Sequence, residues 1–184
     1  PTVLVFGMLR AMLTYIDGTF VEDELATVNV RSRALNYGLG CFGGIRGYRS
    51  DDGKQVFVFR LDAHIERLEE STKILYMQLP GTQAEVCDIV LDLLRRNDVH
   101  EDIYVRPLVI NNSNLLAPVL REEDSSFICY CMPLKRYIDK DAIDVCVSSW
   151  RRVRDNAIPS RTKPTGGYLN SALARREAMD NGFD

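Results

Sequence analysis

A chain of 184 residues can form one domain, or one and part of another, around a real core. With 46% hydrophobic and 27% charged residues it has the composition of an ordinary globular protein. A net charge of −3 excludes the strong positive field that a nucleic acid or anionic membrane needs, and no run approaches the roughly 18 apolar residues of a membrane span.

The opening stretch Pro1 to Leu9 is apolar but short, with no basic start and no small-residue cleavage site. It reads as an edge strand or a cloning remnant, not a signal peptide. Tyr15 to Val21 reads as two short strands around an Asp17-Gly18 turn. A second strand pair, Ile45 to Arg49 and Val56 to Arg60, brackets Asp51-Asp52-Gly53. From Asp62, expected as an N-cap, the period changes and Ile65, Leu68, Thr72 and Leu75 fall on one helical face. Pro80-Gly81 ends that helix. Thr82 and Glu85 then form a capping box ahead of Val86, Ile89, Val90, Leu93 and Leu94 on one face of the next.

Two strand-like runs follow, Ile103 to Ile110 and Phe127 to Met132, with Pro107 suggesting an edge position or a bulge in the first. Strand, strand, helix, helix, strand, strand is an α+β order, expected as a small two-layer domain over residues 1–134. The charged stretch 135–141 reads as an interdomain linker. Beyond it, 142–184 reads as the start of a second domain. Ile143 to Ser149 alternates as a strand, and Leu169 to Asn181 as a helix with Gly182 after its cap. About 40 residues with so few elements cannot close a core of their own, so the sequence reads as cut short.

The five cysteines show no framework spacing, and Cys129 and Cys131 share one face of a strand. They read as small buried hydrophobes in a reducing cytoplasm, not as disulfides or metal ligands. Two histidines are too few for a histidine-based metal site or triad. The chemistry points instead to Ile158-Pro-Ser-Arg-Thr-Lys163-Pro-Thr-Gly-Gly-Tyr168. Pro164 biases Lys163 away from helical geometry, and Gly166-Gly167 let the backbone approach something closely. A lysine aimed stiffly into a cavity becomes a nucleophilic amine able to form a Schiff base. Spacing alone leaves a solvated loop lysine as the ordinary alternative.

Six segments taken together resemble the branched-chain aminotransferases, pyridoxal-phosphate enzymes of class IV and fold type IV. They are Arg33 to Phe42, Gly44-Ile-Arg46-Gly-Tyr48, Phe59 to Leu68, Tyr104-Val-Arg106-Pro107, Val147 to Trp150 and Lys163 to Ser171. The resemblance runs from about Tyr15 to the end and matches the N-terminal half of that family. It implies that the second domain is the start of a larger β-rich pseudo-barrel. Lys163 would be the catalytic lysine, forming the Schiff base with the cofactor and moving the proton between substrate and cofactor. Arg67 would bind the cofactor phosphate; its ordinary alternative is a helix-surface arginine paired with Glu66, Glu69 or Glu70. Tyr168 would hydrogen-bond the cofactor's phenolic oxygen, or otherwise be a helix-start aromatic in the core. Tyr37, Phe42, Arg46, Tyr104 and Arg106 would line the substrate pocket, with Tyr104 and Arg106 two apart on one side of a strand. Trp150 reads as core packing or pocket wall, packing preferred.

The implied activity is transamination of branched-chain or related L-amino acids with 2-oxoglutarate, in a cytoplasmic homodimer or larger homo-oligomer. D-amino-acid aminotransferase and aminodeoxychorismate lyase share the fold and remain alternatives. A non-catalytic subunit-association module is the alternative of another class. The family usually has Phe-Glu-Gly-Ile-Arg where this chain has Phe42-Gly43-Gly44-Ile45-Arg46, so Gly43 is expected to leave space and to deprive Arg46 of a carboxylate. Leu134 after Pro133 makes the pocket less aromatic. The family's later cofactor ligands have no counterpart in these residues, so the chain alone is expected to be inactive.

Overall fold

The computed structural model describes residues 12–136, 138 and 140–184. The expected strand or remnant at Pro1 to Leu9 lies outside the described residues, as do Tyr137 and Asp139 of the expected linker.

Strand β1 (Leu13–Ile16) turns into β2 (Thr19–Glu22) through Asp17 at φ 42° and Gly18 at φ 93°. Two positive φ values make the primed turn whose twist matches a hairpin. A short helix α1 (Arg33–Tyr37) stops on Gly38, and β3 (Gly40–Phe42) and β4 (Ile45–Arg49) follow. The Asp51–Gly53 turn returns the chain as β5 (Val56–Val58), shorter than the pattern suggested. Helices α2 (Leu61–Ile74) and α3 (Gln83–Arg96) come next, then β6 (Ile103–Asn111) and β7 (Ser125–Pro133). The strands join one antiparallel sheet in the order β2-β1-β7-β6-β4-β5, with β3 also on β6. This is the α+β arrangement of the element order.

The long central strand shows why the core lies where it does. Along β6, Ile103, Val105 and Val109 are buried toward α2 and α3, while Tyr104 and Arg106 turn to the opposite face. Helix α2 contributes Ile65 and Leu68 to that core, and α3 contributes Val86, Val90 and Leu93. Each fully buried side chain of this size stabilises the fold by about 1.5–3 kcal/mol. The capping box on α3 is complete: Glu85 N donates to Thr82 Oγ1 and Thr82 N to the Glu85 carboxylate. On α2 the expected cap moves. Arg60, left-handed at φ 47°, precedes the helix, and Asp62 sits inside the first turn, where its charge favours the positive end of the helix dipole.

Pro107 is at neither an edge nor a bulge. It lies mid-strand, opposite Cys129 on β7. On its other side the register of β3 and β4 on β6 is continuous, since Phe42 faces Leu108 and Ile45 faces Val105. The neighbouring strand is interrupted at Gly43-Gly44, where the proline has no N–H to offer, and Gly43 N donates to Pro107 O at 2.8 Å.

The cysteines separate. Cys41, Cys129 and Cys131 are buried and Cys87 is half-buried, all as free thiols. Burial pushes Cys41 up to about 12 and Cys131 to about 11, so both stay protonated and simply pack. Cys146 is exposed, contrary to the buried reading, because its segment does not pack.

That segment is the largest departure from expectation. Ile143 to Ser149 forms no strand; Val145 is 70% and Val147 fully exposed. Alternation makes a strand only where another strand pairs with it, and among the described residues none does. Trp150, expected in packing, is half exposed for the same reason. Helix α4 (Tyr168–Asp180) ends as expected, with Gly182 at φ 80°. Phe183 N donates to Ala178 O and Gly182 N to Met179 O, which is the Schellman closure.

Candidate active site

The face of the sheet opposite the helices gathers several of the candidate residues. Phe42, Arg46, Tyr104 and Arg106 share this face through the register of β3, β4 and β6. Arg106 Nε donates to Tyr104 Oη at 2.9 Å, and its guanidinium carbon lies 4.2 Å from the Phe42 ring centroid. Gly44 makes room for this arrangement, because a Cβ there would lie 2.5 Å from the Tyr104 hydroxyl.

Lys163 reaches the same face by docking. The segment around Pro164 pairs with Cys41 as an isolated bridge, and Phe42 N donates to Lys163 O at 3.4 Å. Thr165 Oγ1 donates to Gly38 O at 2.7 Å, and Gly166 N donates to the same carbonyl. The close approach that Gly166 allows is to Gly38: a Cβ on Gly38 would lie 2.8 Å from Gly166 Cα. So anchored, Lys163 adopts the left-handed conformation at φ 47°, a strained state for a lysine and one that clusters at functional sites. Its ammonium donates to the Tyr168 hydroxyl and lies 4.8 Å from the Phe42 ring centroid. Tyr168 packs its ring on Phe42, centroids 4.9 Å apart. It is the first residue of α4 and more than a third exposed, not a core aromatic.

Lys163, Tyr168, Phe42, Tyr104 and Arg106 therefore form one connected cluster. No described carboxylate pairs with the Lys163 ammonium or with the Arg106 guanidinium. Arg46 stands directly across from Tyr104. Its Nη2 donates to Lys135 O at 3.1 Å and lies 4.0 Å from Asp102, while its buried Nε has no partner. Gly43 does not open the space expected of it. A Cβ there would lie 2.9 Å from Pro107 Cγ, because β6 approaches that closely.

Tyr37 and Arg67 sit on separate elements. The Tyr37 hydroxyl accepts from Ala117 N at 3.3 Å, at the end of α1 next to Gly38. Arg67 lies exposed on α2, which packs against the short turn Ser160–Thr162 just before the lysine. It pairs with none of Glu66, Glu69 or Glu70. Its Nη2 contacts His64 Nδ1 at 3.1 Å, and Glu69 is bound to Lys73 at 2.8 Å.

Two features escaped the sequence. Tyr130 faces Arg106 across the β6–β7 ladder on the site side, a position that follows from Cys129 and Cys131 pointing into the core. Arg33 is buried, donating to Leu115 O, Val119 O and Asp124, and so fixes the loop from Ser113 to Asp124 beside α1. No local pattern marks a buried arginine whose partners lie some 80 residues away.

The family model described as amino-transferase class IV matches residues 40–184. A probable branched-chain-amino-acid aminotransferase of Aquifex aeolicus is 35% identical over 171 residues, which is 92% of this chain and 55% of that protein. The branched-chain-amino-acid aminotransferase of Escherichia coli K12 is 33% identical, over 95% of this chain and 57% of its own. Among solved structures, a branched-chain aminotransferase of Thermoproteus uzoniensis with norvaline superposes with a TM-score of 0.87 at 36% identity, covering 94% and 58% of the two chains. The branched-chain amino acid aminotransferase of Thermobaculum terrenum in its PLP-form gives 0.81 at 30% identity, covering 95% and 57%. The chain thus spans a little over half the length of the relatives it matches.

Proposed function

The chain belongs to the amino-transferase class IV family, and on that premise we propose that it carries the lysine-bearing half of a pyridoxal-phosphate aminotransferase acting on branched-chain or related L-amino acids with 2-oxoglutarate. The observation that carries the reading is Lys163: strained, docked on β3, and held among Phe42 and Tyr168 without a carboxylate partner. A carboxylate partner would hold Lys163 as an ammonium, which has no lone pair; the neutral amine is the form that attacks an aldehyde and takes a proton, and no described carboxylate stands against it. We further propose residues 135–141 as the linker between a small domain and a cofactor-binding domain, in a cytoplasmic homodimer or larger assembly.

The side chains present suit the cofactor. Lys163 offers an amine for its aldehyde, the Tyr168 hydroxyl a hydrogen bond within reach of that amine, and Arg67 an uncancelled guanidinium for its phosphate. Pyridoxal phosphate, when bound, supplies an aldehyde carbon and a ring that draws electrons from the substrate Cα–H bond. The Lys163 amine would then take and return the Cα proton, with the Tyr168 hydroxyl holding it in place. Phe42 gives an apolar wall for a branched side chain, while Tyr104 and Arg106 give donors for the carboxylate of glutamate or 2-oxoglutarate. Arg46, whose Nε has no partner, adds a further polar group on this face, and on that ground donors beyond leucine, isoleucine and valine are included, although Gly43 itself opens no space for them.

The test is a donor screen on the complete gene product. L-leucine, larger L-amino acids and D-alanine are each incubated with 2-oxoglutarate and glutamate formation is followed, while aminodeoxychorismate is incubated alone and release of pyruvate is followed. Activity with L-leucine is expected, together with at least one larger donor. Lys163→Ala should reduce turnover to background without changing the circular dichroism spectrum. Turnover that survives Lys163→Ala would overturn the assignment, and activity confined to leucine, isoleucine and valine would overturn the wider donor range.

A further inference from the structure

The face of α2 that carries Arg67 also carries His64 one turn earlier, with Arg67 Nη2 and His64 Nδ1 3.1 Å apart. A guanidinium can only donate, so the imidazole nitrogen must accept, which places the His64 proton on Nε2. The contact therefore exists only with a neutral imidazole. Partial burial, and then the charges of Arg67 and Arg60, hold His64 below the ordinary imidazole range, which favours the same neutral form. Arg67 has a carboxylate within reach of its helix position, Glu70 one turn on, yet it does not pair with it. Glu69 is occupied by Lys73 and by Gln83 at 2.9 Å. The guanidinium is drawn instead toward the start of the helix, over a shallow cavity lined by Phe59, Arg60, Ala63 and His64.

We propose that His64 is a positioning residue whose unprotonated Nδ1 holds the Arg67 guanidinium toward the start of α2, away from Glu70 and open to a phosphate. A neutral acceptor orients the guanidinium without cancelling its charge. A carboxylate acceptor would orient it and neutralise the field that a phosphate needs. The inference rests on the assignment of Arg67 to the cofactor phosphate.

Dissociation constants of pyridoxal phosphate and of pyridoxal, measured by fluorescence on the complete gene product, test it, because the second ligand lacks only the phosphate. His64→Leu should weaken pyridoxal phosphate binding about tenfold and leave pyridoxal unchanged, and His64→Asn, whose side-chain oxygen takes the place of Nδ1, should restore most of the loss. Equal weakening of both ligands, or none, would overturn the role of His64. Arg67→Ala separates the two levels. If it causes no phosphate-dependent loss, the assignment of Arg67 itself fails; if it does while His64→Leu does not, only the positioning role fails. A second readout does not depend on the leucine variant folding. In the 15N spectrum, with the His64 signal identified by its absence in His64→Asn, Nδ1 should appear unprotonated and should shift in Arg67→Ala. A protonated Nδ1 would overturn the proposal.

Discussion

Helices α3 and α4 differ by one residue in length and are supported in opposite ways. α3 buries Val86, Val90, Leu93 and Leu94 against the sheet and begins with a reciprocal capping box. α4 buries no residue; it is built from Ala172, Leu173, Ala174, Arg175, Arg176 and Glu177 and closes with a Schellman turn. One helix is held by packing, the other by intrinsic propensity and its C-terminal closure. The contrast extends to the flanking chain. Residues 12–134 share one apolar core, whereas 141–184 are tied by polar clamps: Glu177 to Ser148 and Ser149, Asp184 to Lys140 and Asp144, Asn170 to Arg151 O. The catalytic candidate Lys163 belongs to the loosely held region but is docked on the rigid one.

The largest effect expected from this contrast comes from truncations to alanine in the two regions. Leu93→Ala should cost about 2–5 kcal/mol in chemical denaturation, since Leu93 is fully buried. Val147→Ala should stay within about 0.5 kcal/mol, since Val147 is fully exposed. Similar costs would show that residues 141–149 pack in solution.

Gly38→Ala breaks the docking itself. The new Cβ meets Gly166 Cα at 2.8 Å, and the residue must keep φ at 67°. About 1–3 kcal/mol should be lost, and limited proteolysis near Lys163 should accelerate while the sheet stays resistant. Unchanged cleavage would show that Lys163 is positioned by other contacts.

The smallest effect is on the clamps. Hydrogen bonds from the side chains of Ser148 and Ser149 hold the Glu177 carboxyl below its ordinary value of 4.5. A carboxyl depressed in the fold contributes stability above its unfolded pKa and loses it as pH falls through the folded one. Hydrogen exchange at the Ser149 amide should therefore quicken as pH drops below about 4.5, relative to the intrinsic rate, with no matching change at Val105. Equal change at both would mean global acid unfolding.

The sequence was most legible where a local rule sufficed. Asp17-Gly18 needed only its turn chemistry, Thr82 and Glu85 only their spacing, and Tyr104 and Arg106 only the two-residue period of a strand. It misled where a partner decided the outcome. Ile143 to Ser149 has the alternation of a strand but, among the described residues, no strand to pair with, and Pro107 could sit mid-sheet because its neighbour breaks at Gly43-Gly44. Arg33 was hidden because its acceptors lie far along the chain.

By itself, then, the sequence determined the α+β order of elements, the buried stripes of α2, α3 and β6, and the lysine segment with its flanking prolines and paired glycines. Periodicity, caps and turns act within a few residues, so they are written into the chain directly. Only the tertiary structure brought Gly38 to Gly166 and turned Lys163 left-handed over Phe42 beside Tyr168. Those arrangements are contests between competing partners, decided by which groups the folded backbone brings within hydrogen-bonding distance.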